Sequence, residues 1–266
     1  PDQLDAMRML MLNMDPPDHT QLRKIVNKGF TPRMIRQLWD HLREEGREIV
    51  ERARDKGEVD FVEEIAAELP LIAIAEFLGV PVEDRKIIFE LSNRLVGSMD
   101  PEYGITDADA GQASLDMYAY AQELAAHKRK HPGDDIASAL LEAEVDGERL
   151  TDMDFNLFFM LLSVAGNETT RNAISHGMLA LLEHPDQKQD LVDHPEILEG
   201  AAEEIVRWAS PVMQFKRTTT RPVTIGDTEI GEDESIVFWH ISANRDETVF
   251  DDPFRFDLRR APDAHT

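Results

Sequence analysis

From Thr151 to Glu183 the chain runs 33 residues without a proline. Thr151 and Asp154 resemble a capping box at one end, and Pro185 stops the pattern at the other. Read as one helix, the stretch is roughly 50 Å long at 1.5 Å per residue, enough to cross a whole domain. Between Phe155 and Thr170 its only charged residue is Glu168, set among Phe, Leu, Met, Val and Ala. A lone carboxylate on an apolar helix is costly to bury without a partner. Gly166, two residues earlier, costs about 1 kcal/mol relative to Ala in a helix interior. Such local rule-breaking tends to mark functional sites. Gly166 admits another body close to the backbone, and a Thr hydroxyl can bond the carbonyl four residues back and bend the helix. An acid and an alcohol there can relay protons into a dry site. The same residues also describe a kinked core helix in which Glu168 has a polar partner, and both readings stand. Asn167-Glu168-Thr169 matches a glycosylation pattern, which a buried helix makes a false match.

The flanking pattern is mostly helical. Asp15-Pro16-Pro17-Asp18 reads as the start of a helix to Lys28, ending at Gly29. Thr31-Pro32 opens another, to about Asp55. A short extended piece is expected at Val59 to Phe61. Helices follow at Glu63 to Leu78, Glu83 to Val96, Asp107 to Lys130 and Ile136 to Glu144, with a loop at Gly97 to Thr106 and a turn at Asp146-Gly147. Past the long helix, Pro185 to Val192 and Leu198 to Ala209 are helical. Short strands then replace helices at Phe215 to Thr219, Val223 to Ile225, Thr228 to Ile230 and Ser235 to Trp239. Asp251 to Pro262 is irregular. The expected class is mainly α, with a long central helix and a small late β region; nothing suggests alternating βαβ units.

A net charge of −25 argues against nucleic acid as a general partner, since phosphates must be met by Lys and Arg. His19 to Arg36 is the exception: Arg23, Lys24, Lys28, Arg33 and Arg36 with no acidic residue. Such an island can steer an acidic partner, or be a solvated helix face. No apolar run is long enough to span a membrane. The chain has no cysteine, hence neither a disulfide nor a Cys metal site, and a cytoplasmic location is expected. The nine histidines show no His-Glu-x-x-His spacing, against a metal hydrolase. Starting at Pro1 and stopping in a loop-like Pro262 to Thr266, the chain is expected to be part of a longer one.

Three further constellations carry charge. Glu204 and Arg207, three apart, share a helix face, as surface ion pairs commonly do. His19 and Arg23, four apart in the first turns of a helix, can clamp an anion, and equally suit a solvated face. Arg217, Asn244-Arg245-Asp246, Arg260 and His265 form a late cationic set suited to anions or to nearby Asp residues.

In order and spacing, these segments resemble a bacterial soluble cytochrome P450 over nearly the whole chain. Asp15-Pro16-Pro17-Asp18-His19-Thr20 with Arg23 and Gly29-Phe30-Thr31-Pro32 resembles that family's third helix. Ala165-Gly166-Asn167-Glu168-Thr169-Thr170 resembles its oxygen-activation segment, and Glu204-x-x-Arg207 its Glu-x-x-Arg. Ser242 to Asp246, Phe250, Asp252-Pro253, Phe256-Asp257 and Arg260 resemble the approach to its haem loop. The resemblance implies an incomplete P450 fold over 1–266, lacking the N-terminal strands and the cysteine-bearing loop. It implies haem b, with His19, Arg23, Arg217 and His265 on propionates, Ala165 and Gly166 letting the helix pass over the haem, and Glu168 and Thr169 delivering protons to bound O2. Glu204, Arg207 and Arg260 would form a buried structural triad. Residues 165–172 and 203–212 look like the actinobacterial type that oxidises steroid side chains or methyl-branched lipids, with Val212, Met213 and Phe215 near the substrate channel. An acidic ferredoxin-type donor would dock on Lys24, Lys28 and Arg33. Because the axial cysteine is absent, the chain alone is expected to bind haem poorly and lack monooxygenase activity. The alternative is a haem-free, P450-like helical binding or scaffold protein.

Overall fold

The computed structural model describes residues 8–30, 32–97 and 104–261. The chain divides into two compact units, Pro1–Glu168 and Thr169–Thr266.

In the first unit the helices are α1 (Asp18–Gly29), α2 (Pro32–Lys56), α3 (Glu68–Phe77), α4 (Arg85–Gly97), α5 (Asp107–Lys130) and α6 (Ile136–Glu142). A two-residue hairpin, β1 (Glu144–Val145) with β2 (Glu148–Arg149), follows and leads into α7 (Asp152–Glu183), whose later residues belong to the second unit. The expected capping box is formed, and a second one opens α5. Thr151 N–H donates to Asp154 Oδ2 at 3.0 Å while Asp154 N–H donates to Thr151 Oγ1 at 3.1 Å. On α5, Thr106 and Asp109 make the same reciprocal pair. Each box satisfies backbone donors that a helix start leaves unpaired.

Helix α5 buries Ala113, Met117, Ala121 and Leu124, a stripe at three- and four-residue spacing. That stripe packs with Ile74, Leu78, Ile88, Leu91 and Phe159. A second cluster joins Val26 of α1, Ile136 and Leu140 of α6, and Phe155 and Phe158 of α7.

The second unit continues with α8 (Pro185–Asp193), α9 (Leu198–Ala209), β3 (Gln214–Thr218), β4 (Val223–Ile225), β5 (Thr228–Ile230), β6 (Ser235–Trp239) and the single turn α10 (His240–Ala243). The late strands form two antiparallel pairs. β3 meets β6 with Phe215 opposite Phe238, and β4 meets β5 with Val223 opposite Ile230. Ala180, Ala201, Phe256 and Leu258 make this unit's core.

The architecture is therefore mainly α with a small late β region. Three local expectations are corrected. Val59 to Phe61 is not extended: Phe61 is already helical and Val62–Ala66 is a π-helical turn. Asp15 does not cap α1, which begins at Asp18 with Pro17 in the cap position. Ile136–Glu142 ends early because Glu144 and Val145 enter the hairpin around the Asp146-Gly147 turn. Thr31 and most of the expected 97–106 loop lie outside the described residues.

Candidate functional site

Helix α9 is amphipathic and turns its polar pair inward. Glu204 and Arg207 are 2% and 1% exposed. An exposed ion pair of this spacing would contribute a few tenths of a kcal/mol, but here both charges have left water and need complete pairing. They have it. Arg207 Nε and Nη2 donate to Glu204 Oε2 and Oε1 at 2.6 and 2.9 Å. Its Nη1 donates to the carbonyls of Asn244 (2.6 Å) and Pro253 (3.0 Å), and Nη2 also reaches that of Arg255 (3.3 Å). All five guanidinium N–H donors thus have an acceptor. Glu204 additionally accepts from Arg260 Nε at 3.1 Å and from the Asp257 N–H at 2.9 Å. The expected triad is assembled, and it organises the irregular 244–260 segment.

Around it, Arg245 stacks over the Trp208 ring, with its guanidinium carbon 5.2 Å from the centroid. It also donates to the Trp208 carbonyl. Burial, and then the neighbouring charge of Arg207, holds the Arg245 guanidinium below its ordinary pKa. Ser210 ends α9 in the left-handed region at φ 42° and accepts from Asn244 Nδ2 at 3.0 Å. Asn244, fully buried, was expected only as part of the late cationic set and not as a partner of Arg207. An Asn between Ala243 and Arg245 carries no local signal that its carbonyl faces an arginine 37 positions earlier.

The 165–170 segment lies within α7. Ala165 is exposed, while Glu168 and Thr169 are partly buried and both engaged in interactions. At Gly166 a Cβ would stand 2.6 Å from Ile74 Cγ1, and closer still to Cδ1. In this unit the glycine therefore admits a side chain of α3. Asn167 is 2% exposed and its Oδ1 has no hydrogen-bond partner. A buried amide oxygen of this kind calls for a water or ligand donor, and the sequence reading passed over it as part of a glycosylation pattern.

Of the residues expected at haem propionates, His19 is partly buried and Arg23 exposed, four apart on α1. Arg217, on β3, is exposed, stacks on Phe215 and donates to the Lys216 carbonyl. His265 lies outside the described residues. His19 and Arg23 belong to one compact unit and Arg217 to the other. Of the substrate-channel candidates, Val212 and Phe215 are partly buried and Met213 is exposed.

Residues 112–199 and 187–264 match the cytochrome P450 family. The chain belongs to the cytochrome P450 family. It is 47% identical over 264 residues to a steroid C26-monooxygenase of Mycobacterium tuberculosis, covering 99% of this chain and 60% of that protein. It is 41% identical over 259 residues to a methyl-branched lipid omega-hydroxylase of the same species, covering 96% and 60%. Among solved structures, a Mycobacterium marinum P450 in complex with pseudoionone superposes with TM-score 0.91 at 42% identity, covering all of this chain and 65% of that one. A Bacillus megaterium P450 in complex with testosterone gives TM-score 0.88 at 33% identity, covering 96% and 69%. The chain spans about 60% of the length of the curated relatives it matches. As a P450 it resembles the actinobacterial steroid and lipid hydroxylases, and its fold is the P450 fold in part.

The cofactor that this family implies is haem b held by a cysteine thiolate. The donors present do not fit it: none of the 266 residues is cysteine, so the chain supplies no thiolate. No helix among the described residues is long and apolar enough to cross a membrane.

Proposed function

We propose that this polypeptide by itself is a haem-free, P450-like binding unit for a hydrophobic ligand and not a competent oxygenase. One observation carries the reading: the sequence has no cysteine to place a thiolate on iron. The buried Glu204–Arg207–Arg260 network needs no cofactor for its pairing, since every polar partner comes from the chain. Phe238, about half exposed, lies opposite the partly buried Phe215 in the β3–β6 pair, and this apolar pair is suited to a hydrophobic ligand. The cysteine-free composition supports a cytoplasmic location.

The test has two arms on the purified chain. Haemin is added, reduced and exposed to carbon monoxide, and a cholestenone-type steroid is titrated while Trp239 fluorescence is followed in a Trp39→Phe/Trp208→Phe background. Saturable quenching without a thiolate-type Soret band is expected. A thiolate-type band, or hydroxylated steroid in the presence of a ferredoxin system, overturns the proposal.

A second reading is favoured by the 47% identity to a steroid C26-monooxygenase. In a polypeptide that also contributes a cysteine, these elements would serve a monooxygenase. It would insert one atom of O2 into a steroid side chain or methyl-branched lipid, with electrons from a ferredoxin-type donor. In that setting Glu168 and Thr169 deliver protons, Ala165 and Gly166 form the haem-facing helix surface, and His19, Arg23, Arg217 and His265 pair with propionates. Lys24 and Lys28 are exposed on α1, and with Arg33 they make the docking set for the acidic donor. Reversing the charge of Lys24 and Lys28 in that longer polypeptide should weaken the salt dependence of its reduction rate. An unchanged salt dependence would remove the docking assignment.

A further inference from the structure

Helices α2 and α3 bring together a histidine and two carboxylates that play no part in the sites described above. His41 and Glu45 lie four apart on α2, the spacing that puts two side chains on one helix face. Glu76 comes from α3. His41 Nε2 is 3.5 Å from Glu45 Oε1 and 2.6 Å from Glu76 Oε1. One ligand atom from each of the three lies within 4.8 Å of the others.

We propose that His41, Glu45 and Glu76 form a zinc site that clamps α2 to α3. Zinc takes imidazole nitrogen and carboxylate oxygen at about 2.0–2.2 Å in a tetrahedron, so its ligand atoms sit about 3.4 Å apart. The His41–Glu45 separation of 3.5 Å already matches that edge. The His41–Glu76 separation of 2.6 Å is a hydrogen bond, and it must open by about 0.8 Å as the metal replaces the shared proton. The half-exposed imidazole can make that movement, because its side chain is 49% accessible, while the two glutamates, at 23% and 13%, are held more firmly.

Arg85 Nη2 donates at 2.9 Å to Glu76 Oε1, the same oxygen that faces His41. A hydrogen bond from a neighbouring side chain to a metal-binding carboxylate is the usual way such a ligand is oriented. Three protein ligands leave a fourth position, facing solvent on the His41 side, for water. That makes a clamp of moderate affinity and not a closed structural site.

The experiment uses the full chain, first freed of metal with a chelator. Zn²⁺ binding is measured by competition with a chromophoric chelator, and Co²⁺ is substituted to read tetrahedral nitrogen–oxygen coordination in its visible spectrum. One Zn²⁺ per chain is expected to depend on this cluster. His41→Ala, Glu76→Gln and Glu45→Gln should each weaken it at least tenfold, and Glu45→Gln, which leaves the Glu76–Arg85 pair intact, should do so with the least risk to folding. Zn²⁺ should raise the thermal midpoint of the parent chain and not of His41→Ala. His194 approaches Glu196 at 3.2 Å and Asp190 at 3.9 Å in the second unit, so His194→Ala controls for adventitious surface binding. Equal loss in His194→Ala, full affinity in His41→Ala and Glu45→Gln, or no stoichiometric binding by the parent chain would each overturn the assignment.

Discussion

Replacing Arg207 with methionine keeps an unbranched side chain of similar reach and deletes five donors at once. Glu204 is then left with Arg260 Nε and the Asp257 N–H, so its charge stays partly paired. The carbonyls of Asn244 and Pro253 each lose a donor at 2.6 and 3.0 Å. The Arg255 carbonyl keeps Arg260 Nη2 at 3.0 Å. Each buried acceptor deprived of its partner costs about 1–3 kcal/mol. Breaking a buried ion pair from one side costs about 3–5 kcal/mol. Because these figures count some of the same lost bonds, they are not added, and the expectation is a loss of about 3–5 kcal/mol. A domain is typically stable by about 5–15 kcal/mol, so the second unit should be brought close to its unfolding threshold. Urea unfolding in a Trp39→Phe background reads this unit, since Trp208 and Trp239 both lie in it. The midpoint should fall with the slope unchanged. Glu204→Gln, which leaves two arginines facing a neutral amide, should fall by a comparable amount. A loss below about 1 kcal/mol for Arg207→Met would refute the reasoning, because it would place the network in the range of surface pairs.

Gly166→Ala should gain up to about 1 kcal/mol of helix propensity and lose about 1–3 kcal/mol to overpacking against Ile74. A net destabilisation that shrinks in Gly166→Ala/Ile74→Val, followed by thermal melting, tests the contact; no rescue would place the clash elsewhere. Thr151→Ala should cost about 1 kcal/mol by removing the cap of α7, read as a lowered urea midpoint; no change would mean the box is redundant. Hydrogen bonds from the Thr106 hydroxyl and backbone N–H hold the Asp109 carboxyl below its ordinary pKa. Its contribution is therefore present above the unfolded value, about 3.9, and is lost as pH falls through the lower folded value. A carboxyl-carbon NMR titration should show the Asp109 midpoint rising in Thr106→Ala; an unmoved midpoint contradicts this cause.

Helix ends were legible wherever punctuation was local. Asp107–Lys130, Leu198–Ala209 and the end of α7 at Glu183 follow from a capping threonine, a proline boundary or both. Val59 to Phe61 was not, because a short apolar–polar–apolar alternation fits a strand as well as the lead into a helix. The hairpin at Glu144–Arg149 escaped notice because two-residue, largely charged strands carry no alternation, although its Asp146-Gly147 turn was plain. At the site, Glu204 and Arg207 were visible as an ordinary ion-pair spacing. Their burial was not, since it depends on three loop carbonyls supplied from residues 244, 253 and 255. Gly166 stood out locally, but the atom that requires it belongs to Ile74 of another helix, and a contact at that sequence separation has no local trace.

The bonds converging on Arg207 also bear on the order in which this unit takes shape. The link to Glu204 spans three residues and can form as soon as α9 does, whereas the links to Asn244, Pro253 and Arg255 span 37, 46 and 48. Closing loops of that length is entropically unfavourable until many contacts are made together. The helix therefore presents a ready-made cation, and the 244–255 segment, which has little regular hydrogen bonding of its own, winds onto it afterwards. The arginine acts as the spool on which an otherwise shapeless stretch of backbone acquires its path.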